Sequence, residues 1–464
     1  EHGQKVEDAA AAAGIEPQAF TDKVSQAFRV LPEALNFTID DFIRTTEPRH
    51  IKSVQAIWRV LRDNGHIHLG AYEGWYAVRD EAFYGENELT KDEQGRRLAP
   101  SGAEVEWLKE PSYFFRLSNF QDRLLAFYDE NPDFIAPASR RNEVISFVKS
   151  GLRDLSVSRT TFKWGVPVPD DDDHIMYVWL DALTNYITAV GYPDTDGDDY
   201  KKYWPADLHM VGKDILRFHA VYWPAFLMAA GLEPPKRVFA HGWWTNEGQK
   251  ISKSVGNVID PLALVETYGL DPVRYFLMRE VPFGNDGDFS PTAMVHRING
   301  DLANDLGNLC QRVLSMIAKN CAALVPEHGD FTPEDRALLD KARGLIDDLR
   351  QDFSQQLFHR AFDAIWSVIG DANRYVDFQA PWALRKTDPA RMGTVLYTLA
   401  ETIRLVGLYV QPVMPDSAAR ILDQLSVSPD ARDFTVLDEM LKPGTALPKP
   451  IPVFPRYVED SDDG

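Results

Sequence analysis

Apolar positions in the first 65 residues recur at helical spacing. In Lys5–Leu35, KVEDAAAAAGIEPQAFTDKVSQAFRVLPEAL, the pattern predicts two helices, broken at Gly14 and Pro17. FTIDDFIRTTEPRH reads as a short strand-like core ending at Pro48, and HIKSVQAIWRVLRDNG as an amphipathic helix stopped by Gly65. From His66 to about Pro111 the pattern turns to strands and turns, YEGWYAVRDEAFY and then GENELTKDEQGRRLAPSGAEVEW, which predicts a small insertion of hairpins and not a core layer. Its entrance, GHIHLG, places two histidines, His66 and His68, that read as solvated loop residues.

Helical spacing resumes in SYFFRLSNFQDRLLAFYDE and RRNEVISFVKSGLRDLSVSR. A short β-rich run, HIMYVWL, then leads into a helix, and DLHMVGKDILRFHAVYWPAFLMAAG repeats the order of apolar strand, Gly-Lys-Asp turn and helix. KRVFAHGWW is a further short buried strand. Strand–turn–helix units in series predict a parallel α/β sheet with crossover helices. From about Asp271 nearly everything reads as helix, which predicts a helical bundle. The proline-rich and then acidic tail LPKPIPVFPRYVEDSDDG reads as a strap over the surface.

Composition narrows the class of protein. The 464 residues, 44% hydrophobic and 26% charged, fit a soluble globular chain of two to four domains. No apolar run reaches the ~20 residues of a membrane span, and no signal peptide is visible. The chain opens at Glu1 without a methionine, so a start further upstream is expected. A formal charge of −21 argues against nonspecific coating of nucleic acid, which rests on phosphate neutralisation by Lys and Arg, but leaves room for a polyanion held by local basic spots and stacking. The two cysteines, Cys310 and Cys321, fall in a helix-like segment about 16 Å apart at ~1.5 Å per residue, too far for a disulfide.

Against that acidic background AHGWWTNEGQKISKSVGNVIDP (Ala240–Pro261) stands out, because lysines alternating with small hydroxyl residues between turns suit a loop that touches anionic groups. KISKS, Lys250–Ser254, resembles the mobile lysine-serine signature of class I aminoacyl-tRNA synthetases, with Ile251 in place of the usual methionine. YVWLDALTNYITAVGYP, GKDILRFHAVYWPAFLMAAGL, VFAHGWW, LANDLGNLCQR and ANRYVDFQAPW together resemble methionyl-tRNA synthetases, in that family's order and over essentially the whole chain.

The resemblance implies a Rossmann-like parallel sheet, incomplete at its N-terminus, with a β-rich connective insertion and a helical anticodon-binding bundle. Residues 1–65 would be the remainder of the first half of the catalytic domain, 66–140 the insertion and 141–265 the second half with the KISKS loop. Residues 266–300 would be the linker and stem-contact region, 301–445 would form the anticodon domain and 446–464 the tail. The family's His-Ile-Gly-His signature, which binds ATP, is absent. EHGQKV resembles the segment after the family's second strand, and an acidic residue holding the methionine amino group would precede Glu1. Many relatives bind zinc in the insertion through Cys-x-x-Cys pairs, the soft ligands that zinc prefers, but Ala77 and Asp80 stand at the matching places, so a metal-free knuckle is expected. One equivalent of zinc in the purified protein would overturn that expectation.

The implied reaction joins L-methionine to its tRNA, initiator and elongator, through methionyl-adenylate, with ATP as substrate accompanied by Mg2+. Lys253 would make the principal contact to the triphosphate and Lys250 a supporting one, with Ser252 and Ser254 beside them. Gly212 and Asp214, at a strand's carboxyl end where open α/β sheets bind ligands, would serve the ribose, and His241, Gly242 and Trp244 the adenine. Lys213 is either a phosphate contact or a solvated turn. Trp179, Ala182, Leu183, Tyr186, Ile215 and His219 would line the methionine pocket, where aromatic walls suit a thioether. Asn308 and Arg312, spaced i, i+4 on one helix face, with Pro381 and Trp382, would read the anticodon. A cytoplasmic monomer is expected. The missing ATP signature keeps open a non-catalytic tRNA-binding protein. Relatives specific for leucine, isoleucine or valine are disfavoured by the short insertion, and a cysteine-specific one by the lack of metal-ligating cysteines.

Overall fold

The structure, a computed structural model, describes residues 1–80, 82–92, 94–251 and 257–458. The chain divides into two compact units, Glu1–Glu33 with Phe37–His241, and Ala34–Asn36 with Gly242–Gly464.

In the first unit the two opening helices are Gln4–Ala13 and Pro17–Arg29, followed by one short turn of helix, Leu31–Ala34. The expected strand in FTIDDFIRTTEPRH does not form: residues 37–47 are irregular. Its alternating apolar residues find no neighbouring strand, and Phe37 and Ile39 remain exposed. The helix Pro48–Asp63 starts with proline at a first-turn position, where no N–H is needed. It buries His50, Ser53, Val54, Ile57, Trp58 and Leu61, one continuous stripe.

A parallel sheet of three short strands supports the unit, in the order His209–Gly212, Val238–His241, Ile135–Ala136. His209 is in register with Val238 and Gly212 with His241, so two adjacent strands end side by side. The β-rich run HIMYVWL is shorter than expected: the strand Asp171–Met176 ends just before Tyr177, and the Val-Trp-Leu that comes next belongs to the helix Val178–Thr188. Tyr177 takes an extended N-cap conformation, and helical spacing of the apolar positions beyond it outweighs their local β preference.

The insertion is a long antiparallel hairpin, Ile67–Ala77 with Glu106–Phe115, running in register from Ile67 and Phe115 to Tyr76 and Glu106. Its root is part of the core, since Phe115 is fully buried and packs on Phe120 and Phe226. The histidines at its entrance are half-buried and not loop residues in open solvent: His66 packs on Phe120 and His68 stacks on Phe114. Burial lowers the pKa of His66, helped by the Arg116 and Arg123 charges.

The second unit is mostly helical. The Pro389–Val410 helix is buried on all sides from Met392 to Val410, surrounded by Asn308–Asn320, Pro333–Arg343, Phe358–Gln379 and Pro415–Gln424. The tail is a strap, as its prolines indicate: Val453 and Phe454 are buried in this core, and Tyr457 exchanges two hydrogen bonds with Asn299. A small sheet was not visible in the sequence. Trp244–Asn246 pairs antiparallel with Gln249–Lys250 and parallel with Gly287–Phe289. The two-residue turn between the first pair, Glu247 at φ 51° and Gly248 at φ 74°, has the left-handed geometry that matches strand twist.

Candidate active site

The helix Val178–Thr188 presents Trp179, Ala182, Leu183 and Tyr186 at i, i+3, i+4 and i+7, on one face. Trp179 stacks on Phe218 with ring centroids 3.7 Å apart and planes within 7°. The Tyr186 hydroxyl lies 2.7 Å from Nε2 of His219, and Nδ1 of His219 lies 2.9 Å from the carbonyl oxygen of Ile215. Since a carbonyl only accepts, Nδ1 carries the proton and Nε2 accepts from the phenol. Burial lowers the His219 pKa against the opposing backbone hydrogen bond, so the ring is neutral. His219 lies in a π-helical turn, Phe218–Tyr222, which widens the helix where it faces Trp179 and Tyr186. Trp179, Tyr186, Ile215 and His219 are thus brought together. Ala182 is half-buried between them on the same helix face, and Leu183 is buried in the core.

Behind Tyr186 the structure places a residue that sequence reasoning passed over. His209 stacks on the phenol ring at 3.9 Å and is almost fully buried, and neither ring nitrogen has a hydrogen-bond partner among the described residues. Burial, with repulsion from a proton on the neighbouring His219, pushes its pKa down to about 3. Arg159 was also missed. It is buried, with Nη1 donating to Ser156 Oγ at 2.8 Å and to the Ser158 carbonyl at 2.6 Å, and with its guanidinium over the Tyr177 and Tyr76 rings. The serine-rich SVSRTTF was the only signal available, since serines beside an arginine are common on surfaces. Asp181 was passed over as well, although its carboxylate is bonded to two buried histidines.

Gly212 and Asp214 sit at the carboxyl end of their strand, with Asp214 exposed and His241 beside Gly212 in register. A Cβ added at Gly212 would stand 2.5 Å from Asp214 Oδ1 and 3.9 Å from His241 Cε1, so only glycine leaves this edge open.

In the second unit Gly242 packs against backbone: an added Cβ would come within 2.1 Å of the Asn285 carbonyl oxygen. Trp244 does not end the strand that carries His241, as expected, but opens the separate strand Trp244–Asn246. Its ring packs against Phe276 in a small apolar cluster, while Trp243 is the exposed member of the pair. Lys250 closes the hairpin opposite Thr245. Its side chain, with Ser252, Lys253 and Ser254, lies outside the described residues.

On the bundle, Asn308 is exposed at the start of its helix and Arg312 comes one turn later. Arg312 Nη2 donates to Asp377 at 2.7 Å and its guanidinium lies 5.8 Å from the Trp382 ring. Pro381 is buried and begins a new helix, and Trp382 is 50% exposed. Three of the four expected anticodon residues thus face solvent around one cation–π contact. Among the described residues no group of three or more His, Cys, Asp or Glu side chains is placed to hold a metal. Asp80, in the insertion, accepts from Tyr84. Cys310 and Cys321 are both free thiols.

Residues 1–314 match the family described as tRNA synthetases class I (M), and residues 325–463 the anticodon binding domain of methionyl tRNA ligase. The methionine–tRNA ligase of Brucella suis biovar 1 is 60% identical over 460 residues, 99% of this chain and 89% of that protein. That of Mycobacterium tuberculosis is 55% identical over 461 residues, 98% of this chain and 89% of its own. A solved structure of the M. tuberculosis methionyl-tRNA synthetase in complex with methionyl-adenylate superimposes with a TM-score of 0.95 at 56% identity, covering 98% of this chain and 90% of that one. With family models matching residues 1–314 and 325–463, and with such likeness along nearly its whole length, the chain belongs to the class I methionyl-tRNA synthetases.

Proposed function

We propose that this chain performs the ATP-dependent attachment of L-methionine to its tRNA in two steps. The methionine carboxylate attacks the α-phosphate of ATP, forming methionyl-adenylate as pyrophosphate leaves. A terminal ribose hydroxyl of the tRNA then attacks the activated carbonyl, and AMP departs. A carboxylate is already ionised at neutral pH, so the first step needs alignment and neutralisation of phosphate charge and no general base. ATP enters as its magnesium complex, the ion being part of the substrate.

The observation that carries this reading is the fixed Tyr186–His219–Ile215 chain beside the Trp179–Phe218 stack. These side chains are mostly apolar and aromatic, and the Tyr186 hydroxyl and both His219 nitrogens are already bonded, which suits an unbranched thioether. The adenylate in the M. tuberculosis relative supports the same intermediate here. In this reading Asp214 accepts from the ribose hydroxyls, and the His241–Gly242 backbone and Trp244 attend the adenine. Lys253, with Lys250, Ser252 and Ser254, neutralises the triphosphate as the transition state forms. Asn308, Arg312, Pro381 and Trp382 read the anticodon of initiator and elongator methionine tRNAs, and the enzyme works as a cytoplasmic monomer. No helix among the described residues is long and apolar enough to cross a membrane.

Methionine-dependent ATP–pyrophosphate exchange tests the proposal. The Lys253→Ala variant of the full-length enzyme is expected to lose roughly 10²–10³-fold in kcat, the scale set by removing one preorganised transition-state donor, with methionine KM unchanged. Exchange at the parental rate would overturn the lysine assignment. Absence of exchange in the parent enzyme would leave a tRNA-binding protein.

A further inference from the structure

The helix that carries the candidate methionine pocket has one half-buried face and one fully buried face. One face holds Trp179, Ala182 and Tyr186; the other holds Asp181, Thr184 and Thr188, three polar residues at i, i+3 and i+7 that are all buried. Asp181 is only 1% exposed. Its Oδ2 is 2.6 Å from Nδ1 of His2, and its Oδ1 is 2.7 Å from Nε2 of His50. Nδ1 of His50 then returns to the same helix, 3.1 Å from Thr188 Oγ1, so one imidazole bridges two turns of it. Both histidines are themselves held. His2 lies edge-on to Trp164, and the adjoining Glu1 carbonyl and Gly3 amide bond to Trp164. His50 is fully buried in the helix Pro48–Asp63, whose Ser53 hydroxyl lies 2.5 Å from the Tyr192 carbonyl, just past the pocket helix.

Apolar contacts are not directional, and a helix packed only by them can turn slightly about its axis at little cost. Side-chain tips lie about 5–6 Å from a helix axis, so a turn of roughly 10° moves them by about 1 Å. A displacement of that size at a reacting or binding group can cost on the order of 10²-fold in rate. A carboxylate bonded on both oxygens to imidazoles from two different segments removes that freedom, because the pair fixes the angle as well as the distance.

We propose that Asp181, clamped between His2 and His50, is a positioning residue that fixes the rotation of the Val178–Thr188 helix and thereby the methionine-binding placement of Trp179, Ala182 and Tyr186. The inference rests on the reading of these three as pocket residues. Asp181 touches no substrate. Its effect is on how well methionine fits and not on the phosphate chemistry.

The test is methionine-dependent pyrophosphate exchange with the full-length enzyme carrying Asp181→Ala, His50→Ala or His50→Gln, with Ala182→Leu as a control on the pocket itself. Asp181→Ala and His50→Ala are expected to raise methionine KM at least ten-fold while ATP KM stays within two-fold. His50→Gln, whose amide nitrogen can replace Nε2 towards Asp181, is expected to return methionine KM to within three-fold of the parent. A purely structural role would lower the amount of active enzyme, and so kcat, without moving methionine KM; that outcome overturns the proposal. If Asp181→Ala does not fold, the two His50 variants decide alone. If Ala182→Leu raises methionine KM and the His50→Ala value stays parental, only the clamp is refuted. If Ala182→Leu itself leaves methionine KM unchanged, the pocket reading fails and the inference with it.

Discussion

The phenol of Tyr186 donates a hydrogen bond to Nε2 of His219 across 2.7 Å, because the Ile215 carbonyl holds the ring proton on Nδ1. Removing the hydroxyl leaves a buried acceptor unsatisfied while preserving the ring and its stack on His209. Such a loss costs about 1 kcal/mol or somewhat more, so Tyr186→Phe is expected to raise methionine KM by about five-fold or more. Steady-state pyrophosphate exchange at varied methionine measures it, with ATP KM as the internal control.

His209 links the pocket to pH. In the unfolded chain its imidazole takes up a proton near pH 6.5, whereas in the folded chain burial postpones uptake to about pH 3. Between those values the unfolded form binds more protons, so this histidine's share of stability is complete above pH 6.5 and is lost as the pH falls through the window. By pH 5 the loss amounts to roughly 2 kcal/mol, at 1.36 kcal/mol per pH unit. His209→Phe, which keeps the aromatic stack and removes the titrating group, is expected to reduce the difference in unfolding free energy between pH 8 and pH 5 by about that amount. Urea titrations of both proteins at the two pH values check it.

An alanine at position 212 would put its methyl 2.5 Å from the Asp214 carboxylate. Because Asp214 is exposed, its side chain can swing away, so Gly212→Ala is expected to fold normally. The displaced carboxylate then meets the ribose poorly, and ATP KM is expected to rise about ten-fold, equivalent to ~1.4 kcal/mol, with methionine KM unaltered. Differential scanning calorimetry and exchange kinetics separate the two effects.

On the bundle, half of the Trp382 ring is open to solvent with Arg312 beside it. Base stacking on such a ring contributes ~1–3 kcal/mol, so Trp382→Ala is expected to lower kcat/KM for tRNA by about 5- to 150-fold. Pyrophosphate exchange, which needs no tRNA, should remain at the parental rate. Aminoacylation with the native methionine tRNA and with an anticodon-substituted one provides the comparison.

Much of this site was legible in the sequence because its signals are local. Trp179, Ala182 and Tyr186 lie within two turns of one helix, and the Gly212–Asp214 turn directly ends an apolar strand. The illegible part depends on partners remote in the chain. Asp181 looks like one polar residue in an apolar helix, and its meaning comes from histidines 131 and 179 positions away. The strand Gly287–Phe289 has three residues, too few for any alternation to show, and it forms because Trp244–Asn246 offers a parallel edge. In FTIDDFIRTTEPRH the reverse holds: apolar residues recur, but among the described residues the segment pairs with no strand.

The Pro389–Val410 helix has no solvent-facing side from Met392 onward, and even its charged pair, Glu401 and Arg404, is buried and mutually bonded. Labour within the bundle is therefore divided. The axial pillar tolerates almost no substitution, since each of its positions is enclosed, whereas the outer rods that bear Asn308, Arg312 and Trp382 can exchange residues at little structural cost. Surface side chains can thus be replaced on the periphery without unsettling the axis that holds the rods in place.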